Sequence, residues 1–180
     1  MSDLAPSPWV VRFAPLIVRG ARVLDLASGH GRHALFLAAR GAQVLAVDRD
    51  SAALASFAGA PGVDTRAVDL ESVAWPFANE RFDAIVAANY LHRALFPHLR
   101  ASLASDGVLL YETFAAGNAA YGRPANPDFL LTPGELLEFA RSGLTVIAFE
   151  QGLVGGARPA VIQRLAAVGQ ARAWPPPLPE

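Results

Sequence analysis

Between an apolar run and a helical pattern the chain reads Asp25-Leu26-Ala27-Ser28-Gly29-His30-Gly31. Glycines at such a junction let the backbone approach a ligand that a Cβ would exclude. The carboxylate just ahead of them sorts ligands by charge. Beside a pyrophosphate, Asp25 is repelled. Beside a ligand carrying an ammonium and a sulfonium it is attracted, directly or through water, by on the order of 4 kcal/mol at about 4 Å in an effective dielectric near 20. Two further acids, Asp48 and Asp69, each close an apolar run. At Asp48 a carboxylate accepts hydrogen bonds from ribose hydroxyls and repels a 2′-phosphate, which suits NAD or an adenosyl ligand but not NADP. Asp69 is placed to accept from the exocyclic amine of adenine, although an acid there also forms turns unaided.

Glycine spacing alone leaves a dinucleotide open. Its third fingerprint glycine falls on Ala34, where alanine is tolerated. The sign of charge at Asp25 favours S-adenosylmethionine, with S-adenosylhomocysteine as product. A nicotinamide-dependent oxidoreductase is the alternative. Against it, no Tyr-x-x-x-Lys pair occurs, and the 15 Lys+Arg residues are all arginine.

The elements that must position these residues alternate between β-rich runs and helical patterns, which predicts βαβ units and a mainly parallel sheet. Strands are expected at 22–27, 43–48, 63–68, 82–88, 108–113, 144–150 and 160–167, the last two as an antiparallel hairpin. Helices are expected at 32–40, where Gly41 stops the pattern, at 51–58 with Asp50 as cap, and at 97–104. Thr132-Pro133-Gly134-Glu135 has the pattern of a capped helix start. Pro8 to Phe13 reads as a helix packed over the cofactor edge, with Trp9 either core or pocket wall. One domain is expected over 1–170, and the Pro-rich 171–180 reads as an extended, mobile tail.

The run Asp25-x-Ala27-x-Gly29-x-Gly31, then Asp48, then Asp69-Leu70, resembles the first three motifs of class I S-adenosylmethionine-dependent methyltransferases. The likeness spans about residues 20–113, and the expected terminal hairpin agrees with that family's reversed seventh strand. It implies a doubly wound α/β fold with seven strands in the order 3-2-1-4-5-7-6 and helices on both faces. It also implies that the Gly29–Gly31 loop holds the methionine portion, Asp48 the ribose and Asp69 the adenine. Arg49, Leu70 and Asn89 complete the candidate cofactor-binding set. Ala27 departs from the family, which usually has glycine there; one methyl group crowds the loop without abolishing binding. Leu26 to His33 most resembles the small bacterial group that includes tellurite-resistance methyltransferases.

The acceptor is expected at the ends of strands four and five, across the switch point of the sheet. Asn89-Tyr90-Leu91 lacks the Asn/Asp-Pro-Pro-aromatic run of enzymes that methylate nucleobase amines, which disfavours that acceptor. His92 is the leading candidate base, with Tyr90 and Glu112 beside it; helix-start packing explains His92 equally well. A general base matters only for a nucleophile of high pKa. The irregular 115–132 segment reads as a lid or specificity loop. Its Tyr121 and Arg123 are candidate substrate contacts. With Arg93 and Arg158 they point to an anionic or oxyanionic small molecule, though ordinary surface arginines account for the same residues.

Composition excludes several classes. The absence of cysteine removes disulfides, thiolate metal sites and a Cys nucleophile, and no metal is expected. A net charge of −1 with scattered basic residues disfavours a nucleic-acid partner. No apolar stretch reaches the roughly 18 residues of a membrane span. The opening residues carry no secretory pattern, so the cytoplasm is expected by elimination. A third reading, a non-catalytic regulatory protein that binds S-adenosylmethionine, also fits, because methyl transfer needs no diagnostic nucleophile in the protein.

Overall fold

Val23 and Leu24 are neighbours on a strand, so their side chains face opposite sides of the sheet. Both are fully buried. That pattern requires cover on both faces, and the computed structural model, which describes residues 5–178, supplies it. The elements are α1 (Pro8–Phe13), β1 (Arg22–Leu26), α2 (Arg32–Ala39), β2 (Gln43–Asp48), α3 (Ser51–Ala55), β3 (Val63–Ala67), β4 (Phe82–Ala88), α4 (Phe96–Ser102), β5 (Leu103–Phe114), α5 (Glu135–Arg141), β6 (Leu144–Val154) and β7 (Ala160–Gly169). The expectations for residues 1–4 and 179–180 lie outside the described residues.

One seven-stranded sheet runs β3-β2-β1-β4-β5-β7-β6. The first five strands in that order are parallel, and β7 runs antiparallel to both β5 and β6. This is the doubly wound α/β order expected of class I methyltransferases. On one face Trp9, Val10 and Phe13 of α1, Ala34 and Leu37 of α2 and Leu54 of α3 pack on Val23, Val44, Val86 and Leu110. On the other, Leu99 of α4 and Leu136, Phe139 and Ala140 of α5 pack on Leu24, Ile85, Leu109 and Leu165. Trp9 is core: it is 3% exposed, and its indole N–H donates to the Leu165 carbonyl at 3.2 Å.

Several element boundaries differ from expectation for local reasons. The helix expected from Thr132 begins at Glu135, because Gly134 takes a left-handed φ of 78° that breaks the helical path. Glu135 still reaches back, accepting from the Thr132 amide at 2.8 Å and its hydroxyl at 3.0 Å. The helix expected at 97–104 ends at Ser102, and β5 starts at Leu103 through an irregular register against Phe82. Beyond β7, the Arg172 guanidinium donates to the carbonyls of Leu16 at 2.7 Å and Asp106 at 3.2 Å, although this residue was expected in the free tail.

The 115–132 segment is tied down at both ends. The Ala116 amide donates to the Leu131 carbonyl, and the Leu131 amide to the Phe114 carbonyl. Arg93 holds the far end, donating to the carbonyls of Asp128 (2.7 Å) and Leu130 (2.8 Å) and to both carboxylate oxygens of Glu135. Gln163, fully buried on β7, fixes the start of α5: its oxygen accepts from the Leu136 amide at 3.1 Å and its NH₂ donates to the Thr132 carbonyl at 2.6 Å. Gln163→Leu keeps most of the volume but orphans both backbone groups. It is expected to cost about 2–4 kcal/mol, lowering the thermal midpoint by roughly 5–15 °C. Calorimetry on the purified variant checks this, and an unchanged midpoint would refute the role.

Candidate active site

The carboxyl ends of β1, β2 and β4 open on to a cleft built around the β1–α2 loop. Ala27, Gly29 and Gly31 all take left-handed backbone angles, with φ of 50°, 54° and 76°. A Cβ on Gly31 would sit 2.7 Å from the Phe57 ring, so close packing and backbone angle both demand glycine there. A Cβ on Gly29 would meet no protein atom within 4 Å. Its backbone therefore borders open space, as a ligand cradle requires. Ala27 carries the same left-handed strain with a side chain, at a cost of roughly 1 kcal/mol.

Asp48 anchors this loop. One carboxylate oxygen accepts from the Gly29 amide at 2.8 Å and the other from the Asp50 amide at 2.9 Å. Asp50 in turn caps α3, accepting from the amides of Ala52 and Ala53 at 3.0 Å. Asp69 accepts from the Glu71 amide at 3.1 Å, so it forms a turn and faces the cleft together.

Asp25 is buried beneath the loop, 1% exposed, and neither carboxylate oxygen has a hydrogen-bond partner. The hydroxyl of Ser28 is likewise buried and unpaired. Burial pushes Asp25 up to about 7; the Ala34 amide and Arg32 draw it back in part, and Asp48 pushes it further up. His33 on α2 is nearly as buried, and its Nε2 accepts from the Ser7 amide at 3.1 Å. Burial, aided by Arg32, lowers it to about 4, so the ring is neutral at physiological pH and carries its proton on Nδ1.

Two cavities meet at Ala27. The larger, about 750 Å³, is lined by the glycine loop with His30, Arg32 and His33, by Asn89 and Phe114, by Asn118, Tyr121 and Arg123 of the 115–132 segment, and by Arg158 with its neighbours. The smaller, about 210 Å³, lies among Asp48, Arg49, Asp69, Leu70, Glu71 and Tyr90. A third, about 220 Å³, shares Asn89 and Phe114 with the first and Tyr90 with the second. The candidate residues Ala27, Gly29, Asp48, Arg49, Asp69, Leu70, Asn89, Tyr121 and Arg123 thus converge on one cleft.

The candidate proton carriers do not stand over the larger cavity. His92 is half-buried and lines none of the three cavities. Glu112 points under α1, where Arg164 Nε donates to it at 2.7 Å. Tyr90 borders the smaller cavities, but burial and the nearby Glu71 and Asp69 raise its phenol well above the usual range, so it keeps its proton. Arg93, expected near the substrate, is taken up by Glu135 and the carbonyls of Asp128 and Leu130. Sequence reasoning missed Arg32 and Glu71, which line the cavities. Only the tertiary placement reveals their role in the lining.

Residues 23–107 match the family model for a methyltransferase domain. Over that stretch, somewhat less than half of its length, the chain resembles a methyltransferase domain. The strand order agrees with the class I fold that the sequence resemblance implies. Solved structures agree in fold. TehB from Haemophilus influenzae is 19% identical with a TM-score of 0.77; the match covers 92% of this chain but 63% of that one, so this chain spans less than two thirds of TehB. A TehB-like methyltransferase from Corynebacterium glutamicum is 22% identical with a TM-score of 0.64 over 89% of this chain and 86% of that one. The glycopeptide N-methyltransferase MtfA, solved with sinefungin, is 22% identical with a TM-score of 0.65 over 94% and 89% of the two chains. No curated protein matches in sequence. The matched stretch contains the whole glycine loop, Asp48, Asp69 and Asn89. The segments that wall the cavity with Tyr121, Arg123 and Arg158 lie beyond it. No helix among the described residues is long and apolar enough to cross a membrane, and none of their His, Asp and Glu side chains group as a metal site.

Two variants test this geometry. A folded-state pKa raised from 3.8 to about 7 means that the folded protein keeps a proton on Asp25 that the unfolded chain has lost. This contribution to stability is complete below about pH 4 and falls away as pH rises through about 7. Asp25→Asn removes the titration. It should melt higher than the parent near pH 8, by a few kcal/mol or roughly 5–10 °C, and match it near pH 4. An equal offset at both pH values would contradict the assignment. Ala27→Gly relieves the left-handed strain against a larger entropy cost of unfolding, so a small gain of up to about 1 kcal/mol is expected in denaturant melts; a loss would show that the methyl group packs usefully.

Proposed function

We propose that the chain transfers a methyl group from S-adenosylmethionine to a small anionic molecule by in-line displacement. The observation that carries this reading is the division of charge along the cleft. The smaller cavity holds Asp48, Asp69 and Glu71 around a single arginine, Arg49. The larger is lined by Arg32, Arg123 and Arg158 and by no Asp or Glu. Among the described residues these three arginines make no salt bridge and no side-chain hydrogen bond, so their charge is available to a ligand.

Each end suits one part of the reaction. Asp48 retains lone pairs for ribose hydroxyls after its two backbone bonds, and Leu70 with Tyr90 offers apolar walls for adenine beside Asp69. The glycine loop, with unpaired Asp25 below it, suits the ammonium of the methionine portion, while Arg32 suits its carboxylate. When bound, S-adenosylmethionine supplies a methyl group already activated on a sulfonium. Asn89 and Phe114, shared by two of the cavities, border the point where donor and acceptor meet. Arg123 and Arg158 hold the acceptor's negative charge and orient it. An anionic nucleophile has no proton to lose, which agrees with the absence of His92, Glu112 or an ionised Tyr90 from this wall. Alignment in the cleft then supplies most of the rate, worth roughly 7–11 kcal/mol in well-oriented reactions.

Incubation with labelled S-adenosylmethionine and a metabolite extract should place label in small anions, identified by mass; label confined to neutral or cationic products would reject the anionic acceptor. S-adenosylhomocysteine should raise the melting temperature by mass action, and NAD should not. Asp48→Ala should weaken S-adenosylhomocysteine at least tenfold. Asp25→Asn should weaken it too, despite stabilising the free protein at high pH. Unchanged affinity in either variant would remove that residue from the site.

A further inference from the structure

The two arginines placed on the acceptor side come from separate loops. Arg123 lies at the tip of the 115–132 segment, and Arg158 in the turn between β6 and β7. Both are exposed, and neither is held by an ion pair among the described residues. Long side chains on independent surface loops lose much of their charge to solvent and to motion. One buried side chain removes that independence here.

Asn118 is 1% exposed and is itself part of the cavity wall. Its NH₂ donates to the Pro124 carbonyl at 3.0 Å, immediately after Arg123. Its oxygen accepts from the Val161 amide at 3.1 Å, at the start of β7 and just beyond Arg158. A second tie runs beside it, from the Ala115 amide to the Val161 carbonyl at 2.8 Å. Asparagine is the residue for this task because its two ends have opposite hydrogen-bonding polarity. One end must meet a carbonyl and the other an amide. Both partners are backbone atoms, so the clasp fixes where each loop lies and therefore where each arginine starts.

We propose that Asn118 is a positioning residue that joins Arg123 and Arg158 into one anion-binding subsite on the acceptor side of the cleft. The inference rests on the anionic-acceptor reading and assigns the residue that makes it selective. Its chemistry suits an oxyanion or a carboxylate: two planar guanidinium groups, no acid in the lining and a fixed separation between the loops.

The test is titration of inorganic phosphate into protein saturated with S-adenosylhomocysteine, followed by calorimetry and thermal shift, with chloride at matched ionic strength as control. Saturation occupies the methionine end of the cleft, so only the acceptor end is read. Arg123→Ala and Arg158→Ala should each raise the phosphate Kd at least fivefold. Asn118→Ala should do the same although it removes no charge, with the affinity for S-adenosylhomocysteine held within twofold. Asn118→Leu keeps the volume and the neutrality and loses both ends of the clasp. It is expected to fold, to weaken phosphate in the parent, and to add nothing where Arg123 and Arg158 are both replaced by alanine. A lower melting temperature with an unchanged phosphate Kd in the Asn118 variants would make the residue merely structural and overturn the proposal. So would phosphate binding that ignores both arginines, or that chloride reproduces. Failure of S-adenosylhomocysteine to bind the parent protein would instead sink the methyl-transfer reading. In that case phosphate titration of the protein alone still decides the subsite.

Discussion

The hydrogen bond from the Gly29 amide to Asp48 is the constraint on which the cleft depends. The β1–α2 loop visits the left-handed region three times, at Ala27, Gly29 and Gly31. A chain so bent has few internal bonds of its own and needs an outside partner. Asp48, at the end of the neighbouring parallel strand, is that partner, and a charged acceptor contributes about 1.5–3 kcal/mol to such a bond. Its second oxygen binds the Asp50 amide, and Asp50 caps α3. One carboxylate therefore sets the loop, the start of a helix and one wall of the smaller cavity. The register that pairs Leu26 with Val47 is what brings it there.

Much of this frame could be read from residue order. The seven strands, the glycine loop, the acids at strand ends and the reversed hairpin are local patterns, each governed by alternation or turn chemistry. What could not be read depends on partners distant in sequence. Glu112 has the chemistry of a base, but it pairs across the sheet with Arg164, and nothing short of the β5–β7 register reveals that. Arg93 has the look of a substrate contact, yet Glu135 captures it once α5 is in place. The helix start at Thr132 was legible as a capping interaction and misplaced as a boundary, because Gly134 took the left-handed conformation its type allows. Asn118, in a segment with no periodicity, gave no local signal at all.

Polarity along the cleft bears on the chemistry as well as on recognition. Acids line the smaller cavity and arginines the larger, so under the proposed reaction a positively charged donor and a negatively charged acceptor would be pulled towards Asn89 and Phe114 from opposite sides. Their reaction cancels two charges. Such a step is favoured where water is excluded, because solvent stabilises the separated ions more than the product pair. Phe114, Ala88 and the 115–132 segment wall the larger cavity on that side, with no proton relay among its lining residues required.

Because β7 runs against β5, its start lies beside the end of β5: Phe114 is paired with Ile162 near the mouth of the cleft. The turn that precedes β7 is thereby carried to the rim where the parallel strands end. A fold with seven parallel strands would have left that turn on the opposite side of the molecule. Reversing one strand therefore brings to the rim of the larger cavity a loop from outside the matched 23–107 stretch. Changes at residues 155–159 would thus reshape that rim while leaving the β1–α2 loop and Asp48 untouched.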